Sequence, residues 1–397
     1  MLFHTLPIAA LCIALQATSS TAVADVPRRH SKELPKEPWH AEHESPGTWR
    51  SGPGRNSHEH SSSAAKAGIC TSANMAVRRE WGALSTTERG AYIDAVHCMI
   101  NSPSHFAPGE VPGARNRFDD FAAIHINKTN SIHLDGIFLS WHRNFVWIWE
   151  TALREECGYA GYQPYWNWAL WCDDLGSSPL FDGSSTSLSG NGAPDNSSCP
   201  IQVANGETLP CGTGGGCVTS GPFKVQNLTN NLGPISFPHV YSGLPANWTA
   251  HNPRCFKRDL SSYIATRYGN QTALDALMNT TTIEDFQNTM SGADINLGPH
   301  GGGHFALGPA MDDFFASPQD PAFFLHHGMV DRMWTLWQDV DERSRRYSLQ
   351  GTSTIFNGNS TPNVTLSTKQ DWGNLGRVKE TEELLSPREY DFCYTYE

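Results

Sequence analysis

Six histidine positions in two groups of three restrict this chain more than any other feature. The first group is His125, His133 and His142, with Phe138, Leu139, Trp141, Arg143 and Glu150 around the last. The second is His300, His304 and one of the adjacent pair His326 and His327, with Asp320, Pro321, Phe323 and Phe324 before the pair and Asp331 after it. Imidazole suits copper, zinc and iron better than magnesium or calcium. Two all-histidine triads with no nearby cysteine suit a pair of ions that keep open coordination positions. The spacing alone does not choose among the three metals.

Periodicity places these residues on helices. Ser85 to Met99 carries Tyr92, Ala95, Val96 and Met99 on one face, after a start at Ser85, Thr86 and Thr87 with Glu88 following. Phe138 to Cys157 repeats Phe145, Ile148, Trp149 and Ala152 at helical spacing, and Ala322 to Trp337 continues likewise. No long alternating strand pattern competes. The expected fold is mainly α: a four-helix bundle around the metal site, with long disulfide-stapled loops outside. His300 and His304, four apart, share one helical face. His142 opens one helix, His125 ends or lies within another, and His133 comes from the loop between. Ligands on separate helices hold their geometry better than ligands on one loop.

The segment from His133 to Arg143 resembles the first copper signature of the tyrosinase, catechol oxidase and haemocyanin family, and the segment from Asp320 to Arg332 resembles the second. Val77 to Trp81, with Leu84-Ser85 and Tyr92-Ile93, is similar to the opening helix of fungal members. Tyr394-Thr395-Tyr396 is similar to the tyrosine motif that closes the catalytic domain. The resemblance runs from about Cys70 to Glu397. It implies two copper ions, one held by His125, His133 and His142, the other by His300, His304 and His327. In the family the second histidine of the adjacent pair binds copper, so His326 is expected to pack or hydrogen-bond nearby. Asp331 is expected to accept a ring N–H from a ligand histidine, Arg143 and Glu150 to pair, and Asp320 to cap the helix beginning near Ala322.

The resemblance also bears on substrate. Phe314 matches the aromatic gate residue of plant catechol oxidases, although it also reads as ordinary core packing. Gly301 stands where stronger monophenolases often carry Asn, and Asn296 where plant members carry the Glu that holds a water. Both departures imply poor assistance to monophenol deprotonation. Ser131, two before His133, rules out the Cys-x-His thioether of many members at that spacing. With the chain ending at Glu397, a short, lidless form is expected.

The remaining sequence bounds the setting. Pro7 to Gln16 is apolar but too short to span a membrane, and Ala22-Val23-Ala24 follows as a cleavage site. Residues 1–24 therefore read as a secretory signal peptide. Residues 25–69 are rich in Pro, Ser, Gly and charge, as in a disordered arm or pro-segment. Its His30, His40, His43, His58 and His60 read as solvated. Residues 70–397 form the catalytic domain. Ten cysteines less Cys12 leave nine, which suits disulfides in an oxidising compartment with one left over. Asn127, Asn196, Asn227, Asn247, Asn270, Asn279, Asn359 and Asn363 are sequons for N-glycans. The net charge of −12 argues against nucleic acid as a partner. Gly212 to Gly216 precedes no Lys-Ser/Thr and is not a phosphate loop.

The expected function is extracellular: O2-dependent conversion of small phenolic substrates, o-diphenols and also o-aminophenols, to o-quinones. Tyrosinase activity with substantial monophenol hydroxylation is the alternative. A haemocyanin-like oxygen carrier is disfavoured by the single catalytic domain and the lack of a β-domain over the site. A dizinc or di-iron hydrolase is disfavoured by the lack of a bridging carboxylate.

Overall fold

The computed structural model describes residues 69–197, 201–203, 206–292, 297–358 and 361–397. Residues 1–68, where the signal peptide and nearly all of the arm are expected, lie outside the described residues, as do Cys199, Asn296 and Asn359. The helices are α1 (Thr86–Asn101), α2 (Arg117–Lys128), α3 (Phe138–Glu155), α4 (His239–Ser242), α5 (Ser262–Gly269), α6 (Gln271–Met278), α7 (Ile283–Ser291), α8 (Pro299–Leu307), α9 (Ala322–Val340) and α10 (Glu342–Arg345). Strands are short and pair only in twos. The mainly α expectation holds. No described helix is long and apolar enough to cross a membrane.

Local chemistry sets the boundaries. Ser85 and Glu88 close a reciprocal capping box at the start of α1. Asn116 accepts from the Asp119 amide to start α2. Pro299 opens α8, where its missing N–H costs nothing. Asp320 accepts from the Ala322 amide at 2.8 Å, as expected of a cap for α9.

The core lies between α3 and α9, which pack along each other. Trp149 of α3 stacks on Phe324 of α9 at 4.0 Å and 7°, and Phe121 of α2 meets both rings edge-on. Each such ring, removed from water, contributes about 1.5–3 kcal/mol. The histidine-bearing helices are thus fixed by aromatic packing beside the site.

The first and last described segments are tied together. Strand Ala76–Arg78 pairs in parallel with strand Tyr394–Tyr396, and a disulfide joins Cys70 to Cys393. Cys98–Cys157 links the end of α1 to the segment after α3. Cys217–Cys255 closes the long excursion between α3 and α5. Among the described residues Cys172 and Cys211 are unpaired. Of the sequons, Asn127, Asn196, Asn227, Asn247, Asn279 and Asn363 are exposed and Asn270 is half-buried.

Two expectations need correction. Asp331 does not reach a histidine, and Arg143 does not pair with Glu150. Asp331 instead accepts from Arg143 Nε at 2.6 Å and from the Tyr394 and Tyr396 hydroxyls, each at 2.6 Å. Arg78 bridges Asp331 and Glu150. Both arginines are fully buried. Arg143 and Glu150 lie seven positions apart on one helix, so each finds its counter-ion on another element. Burial pushes the Asp331 carboxyl up, but Arg143, Arg78 and the two tyrosine hydroxyls outweigh it and hold its pKa below the usual carboxylate range.

The described residues, from Ile69 on, belong to one compact unit. A chain shortened to begin at Gly68 should therefore express in soluble form, with a melting temperature within about 2 °C of the full-length protein. Insoluble or unfolded shortened protein would show that the arm serves folding.

Candidate metal centre

Four helices and one loop supply the histidines. His125 lies in the last turn of α2, His142 in the second turn of α3, His300 and His304 on α8, and His327 on α9. His133 comes from the loop between a 3-10 turn that includes Ser131 and the start of α3. The structure brings them into two groups. In each, the ligating nitrogens lie within 4.8 Å of one another: His125, His133 and His142 in one, His300, His304, His326 and His327 in the other. The groups adjoin: the His142 and His327 rings stack at 4.4 Å.

Hydrogen bonds fix which nitrogen faces inward. His125 Nδ1 lies 2.6 Å from the Phe315 carbonyl, His133 Nδ1 3.0 Å from that of Thr129, His142 Nδ1 2.9 Å from that of Phe138, and His304 Nδ1 2.8 Å from that of Met311. A carbonyl only accepts, so each Nδ1 carries the proton and each Nε2 presents a lone pair. His133 and His142 each bond the carbonyl four residues earlier, so the local backbone turn orients its own ligand. The Nε2 atoms of His125 and His142 and both ring nitrogens of His327 are buried without a protein partner. The Nε2 atoms of His300 and His304 face each other at 3.2 Å. Such orphaned, converging acceptors are what a cation satisfies.

The surroundings keep these rings neutral. Burial, then neighbouring imidazoles, drives His142, His300 and His327 far below the usual histidine range, and His125 likewise. Burial also lowers His133 to about 3 and His304 to about 4. Phe138 sits 4.6 Å from His300 and 4.9 Å from His142, and Phe323 lies 4.2 Å from His327. These rings wall the site with apolar surface. The sequence motifs contained both phenylalanines but did not disclose this role.

Trp168 separates the adjacent pair. Its indole N–H donates to His326 Nδ1 at 3.0 Å. An indole nitrogen only donates, so His326 accepts at Nδ1 and carries its proton at Nε2. That tautomer has no free lone pair to give an ion. His326 stacks flat on His300 at 5.5 Å and 17° instead, and a Cβ on Gly303 would meet its ring at 2.3 Å. No motif pointed to Trp168; only its fold position reveals the role.

Of the substrate positions, Phe314 is half-buried with its ring 4.7 Å from that of His133. It lies beside His133 of the first triad. Gly301 is half-buried on α8, where a Cβ would meet only the movable end of Leu297 at 2.8 Å.

The common central domain of tyrosinase matches residues 115–340, a span holding all six histidines. Tyrosinase P of Aspergillus terreus is 50% identical over 329 residues, covering 81% of this chain and 91% of that protein. N-acetyl-6-hydroxytryptophan oxidase of Emericella nidulans is 42% identical over 348 residues, covering 83% of this chain and 94% of that protein. The solved structure of a mutant polyphenol oxidase from Thermothelomyces thermophila matches with a TM-score of 0.76 at 38% identity, covering 82% of this chain and 90% of that one.

Proposed function

Because the chain belongs to the tyrosinase family, we propose that it is a secreted dicopper oxidase, converting o-diphenols to o-quinones, and also o-aminophenols to the corresponding o-quinone imines, while O2 is reduced to water. The observation that carries this reading is the set of inward, unpartnered imidazole nitrogens, with four Nδ1–H groups tied to backbone carbonyls. Neutral nitrogen donors in two adjoining triads fit a copper pair, and no carboxylate belongs to either cluster among the described residues. His125, His133 and His142 would hold one ion; His300, His304 and His327 the other. When bound, the pair supplies two-electron exchange between the phenol and O2. The protein's own part is to fix the imidazoles, exclude water with Phe138 and Phe323, and admit a flat ring beside Phe314. Metal analysis of active protein should give two copper per chain; one copper, or two zinc, contradicts the reading. The disulfides and exposed sequons support secretion and N-glycans.

The preference for o-diphenols follows from proton chemistry. A phenol has a pKa near 10, so its anion is scarce at neutral pH without a positioned base or water. Gly301 offers no side-chain oxygen there. Adjacent hydroxyls of an o-diphenol need less help. The alternative, a tyrosinase with substantial monophenol hydroxylation, is favoured by the likeness to Tyrosinase P. Gly301→Asn should raise the monophenol-to-diphenol rate ratio by at least about threefold, a small part of what a positioned proton acceptor supplies. Initial rates on tyramine and dopamine measure this, and an unchanged ratio rejects the role given to Gly301.

A further inference from the structure

An aromatic row leaves the metal centre and ends in solvent. Phe314, beside His133, meets Phe237 at 5.3 Å; Phe237 meets Tyr241 of α4 at 6.1 Å; Tyr241 lies parallel to Phe356 at 5.6 Å and 10°. The outer two rings are the exposed ones: Phe314 and Phe237 are half-buried, Tyr241 is 69% exposed and Phe356 39% exposed. Two large rings held parallel at the surface, one of them mostly exposed, are only partly explained by folding, because the part of their apolar surface left in water gains nothing.

The backbone beneath them is held against its preference. Phe356 and Asn357 adopt φ of 59° and 51°, the left-handed region that disfavours side chains. The turn is pinned by its own contacts: the Thr352 amide donates to Asn357 Oδ1 at 2.8 Å. It is also pinned to the metal centre, since the Gly136 amide, three residues after His133, donates to the Thr352 carbonyl at 2.7 Å. The ring of Phe356 is thereby placed relative to the loop that carries His133. Non-glycine residues keep such conformations where neighbouring structure imposes them, often at ligand clamps.

The geometry points to an outer substrate subsite formed by Tyr241 and Phe356, which takes a second aromatic ring on the tail of the phenol being oxidised. This rests on the oxidase reading above and narrows its substrate class: catechols with an aryl-terminated side chain over bare catechols. The row starts beside His133 and runs through Phe314 and Phe237, and its consecutive ring-centre distances of 5.3, 6.1 and 5.6 Å set the reach that a substrate tail needs. Tyr241 adds a hydroxyl for a polar group near the second ring. Aromatic pairs in offset geometry contribute beyond simple burial.

The test uses full-length copper-loaded enzyme with catechol and with a catechol bearing a flexible phenyl-terminated chain. Tyr241→Ala and Phe356→Ala should each lower kcat/KM for the extended substrate about tenfold, the size of one aromatic pair, with the change in KM. Catechol itself should change less than about twofold, and Tyr241→Phe should retain the extended preference. Equilibrium binding of both compounds to metal-free full-length protein, which cannot turn over, should show the same selective loss. Equal losses for both substrates, or none, overturn the subsite. Self-association lost on removing either ring, with substrate preference unchanged, assigns the patch to a second copy and likewise overturns it. Wild-type protein that binds the extended compound selectively yet oxidises neither would refute the oxidase reading while leaving the subsite standing.

Discussion

His142→Ala is expected to leave less than about one per cent of wild-type o-diphenol oxidation, with copper falling from two per chain towards one. Loss of a group that merely orients a metal ligand costs 10–100-fold, and loss of the ligand itself must cost more. His142 is 2% exposed, its Nδ1 is held by the Phe138 carbonyl, and its Nε2 has no protein partner. A methyl group there leaves a hole that no neighbouring donor can fill. His326→Ala, by contrast, should keep two copper per chain, because Trp168 already occupies the nitrogen that would need to be protonated for ligation. Metal content and initial rate, measured on equal amounts of folded protein, distinguish the two variants. A His142→Ala protein with two copper and more than a tenth of the activity would show that His142 is not a ligand.

Asp331→Asn should destabilise the fold by about 3–5 kcal/mol, the cost of stranding a buried charge. Arg78 would retain Glu150, but Arg143 would keep only neutral partners: the Leu384 and Leu385 carbonyls, Thr335 and Gln338. Asn keeps one acceptor oxygen where the carboxylate had two, so its NH2 must face either Arg143 or the Tyr394 and Tyr396 hydroxyls, losing one side of the network. The melting temperature should fall by roughly 10 °C. Adding Arg143→Met should restore part of the loss, since it removes the stranded charge. The same network sets a pH dependence. The Asp331 pKa is lowered on folding, so its stabilisation is complete above the ordinary carboxylate pKa and fades as pH falls through the folded value. A melting temperature within about 2 °C of wild type would refute this account of the network.

The site was legible because ligand chemistry leaves a strong mark on sequence. Two histidine groups set in aromatic and acidic motifs are rare by chance, and i,i+4 spacing on α8 is readable without coordinates. Helices α1, α3 and α9 were legible for the same reason: their apolar residues recur at 3.6-residue intervals. Their ends fell within a few residues of expectation because Ser85 with Glu88 and Asp320 are recognisable caps. The misreadings were long-range. Asp331 sits one turn after His327, which suggested a histidine partner, yet its four donors come from the first strand, α3 and the last strand. Sequence proximity carries no information about such partners. Trp168 was missed likewise, as one tryptophan in an irregular stretch between α3 and the disulfide-closed excursion. The Tyr241–Phe356 pair brings α4 against a turn more than a hundred residues later, and that turn is tied to the His133 loop by the Gly136–Thr352 hydrogen bond; no local pattern encodes either contact.

The most direct test is oxygen uptake by copper-loaded protein, with a monophenol and its matching o-diphenol side by side. The account predicts prompt uptake with dopamine and slow uptake with tyramine after a lag. Tyramine consumed without a lag, at a rate matching dopamine, would contradict the o-diphenol assignment. No uptake with either would contradict the oxidase itself.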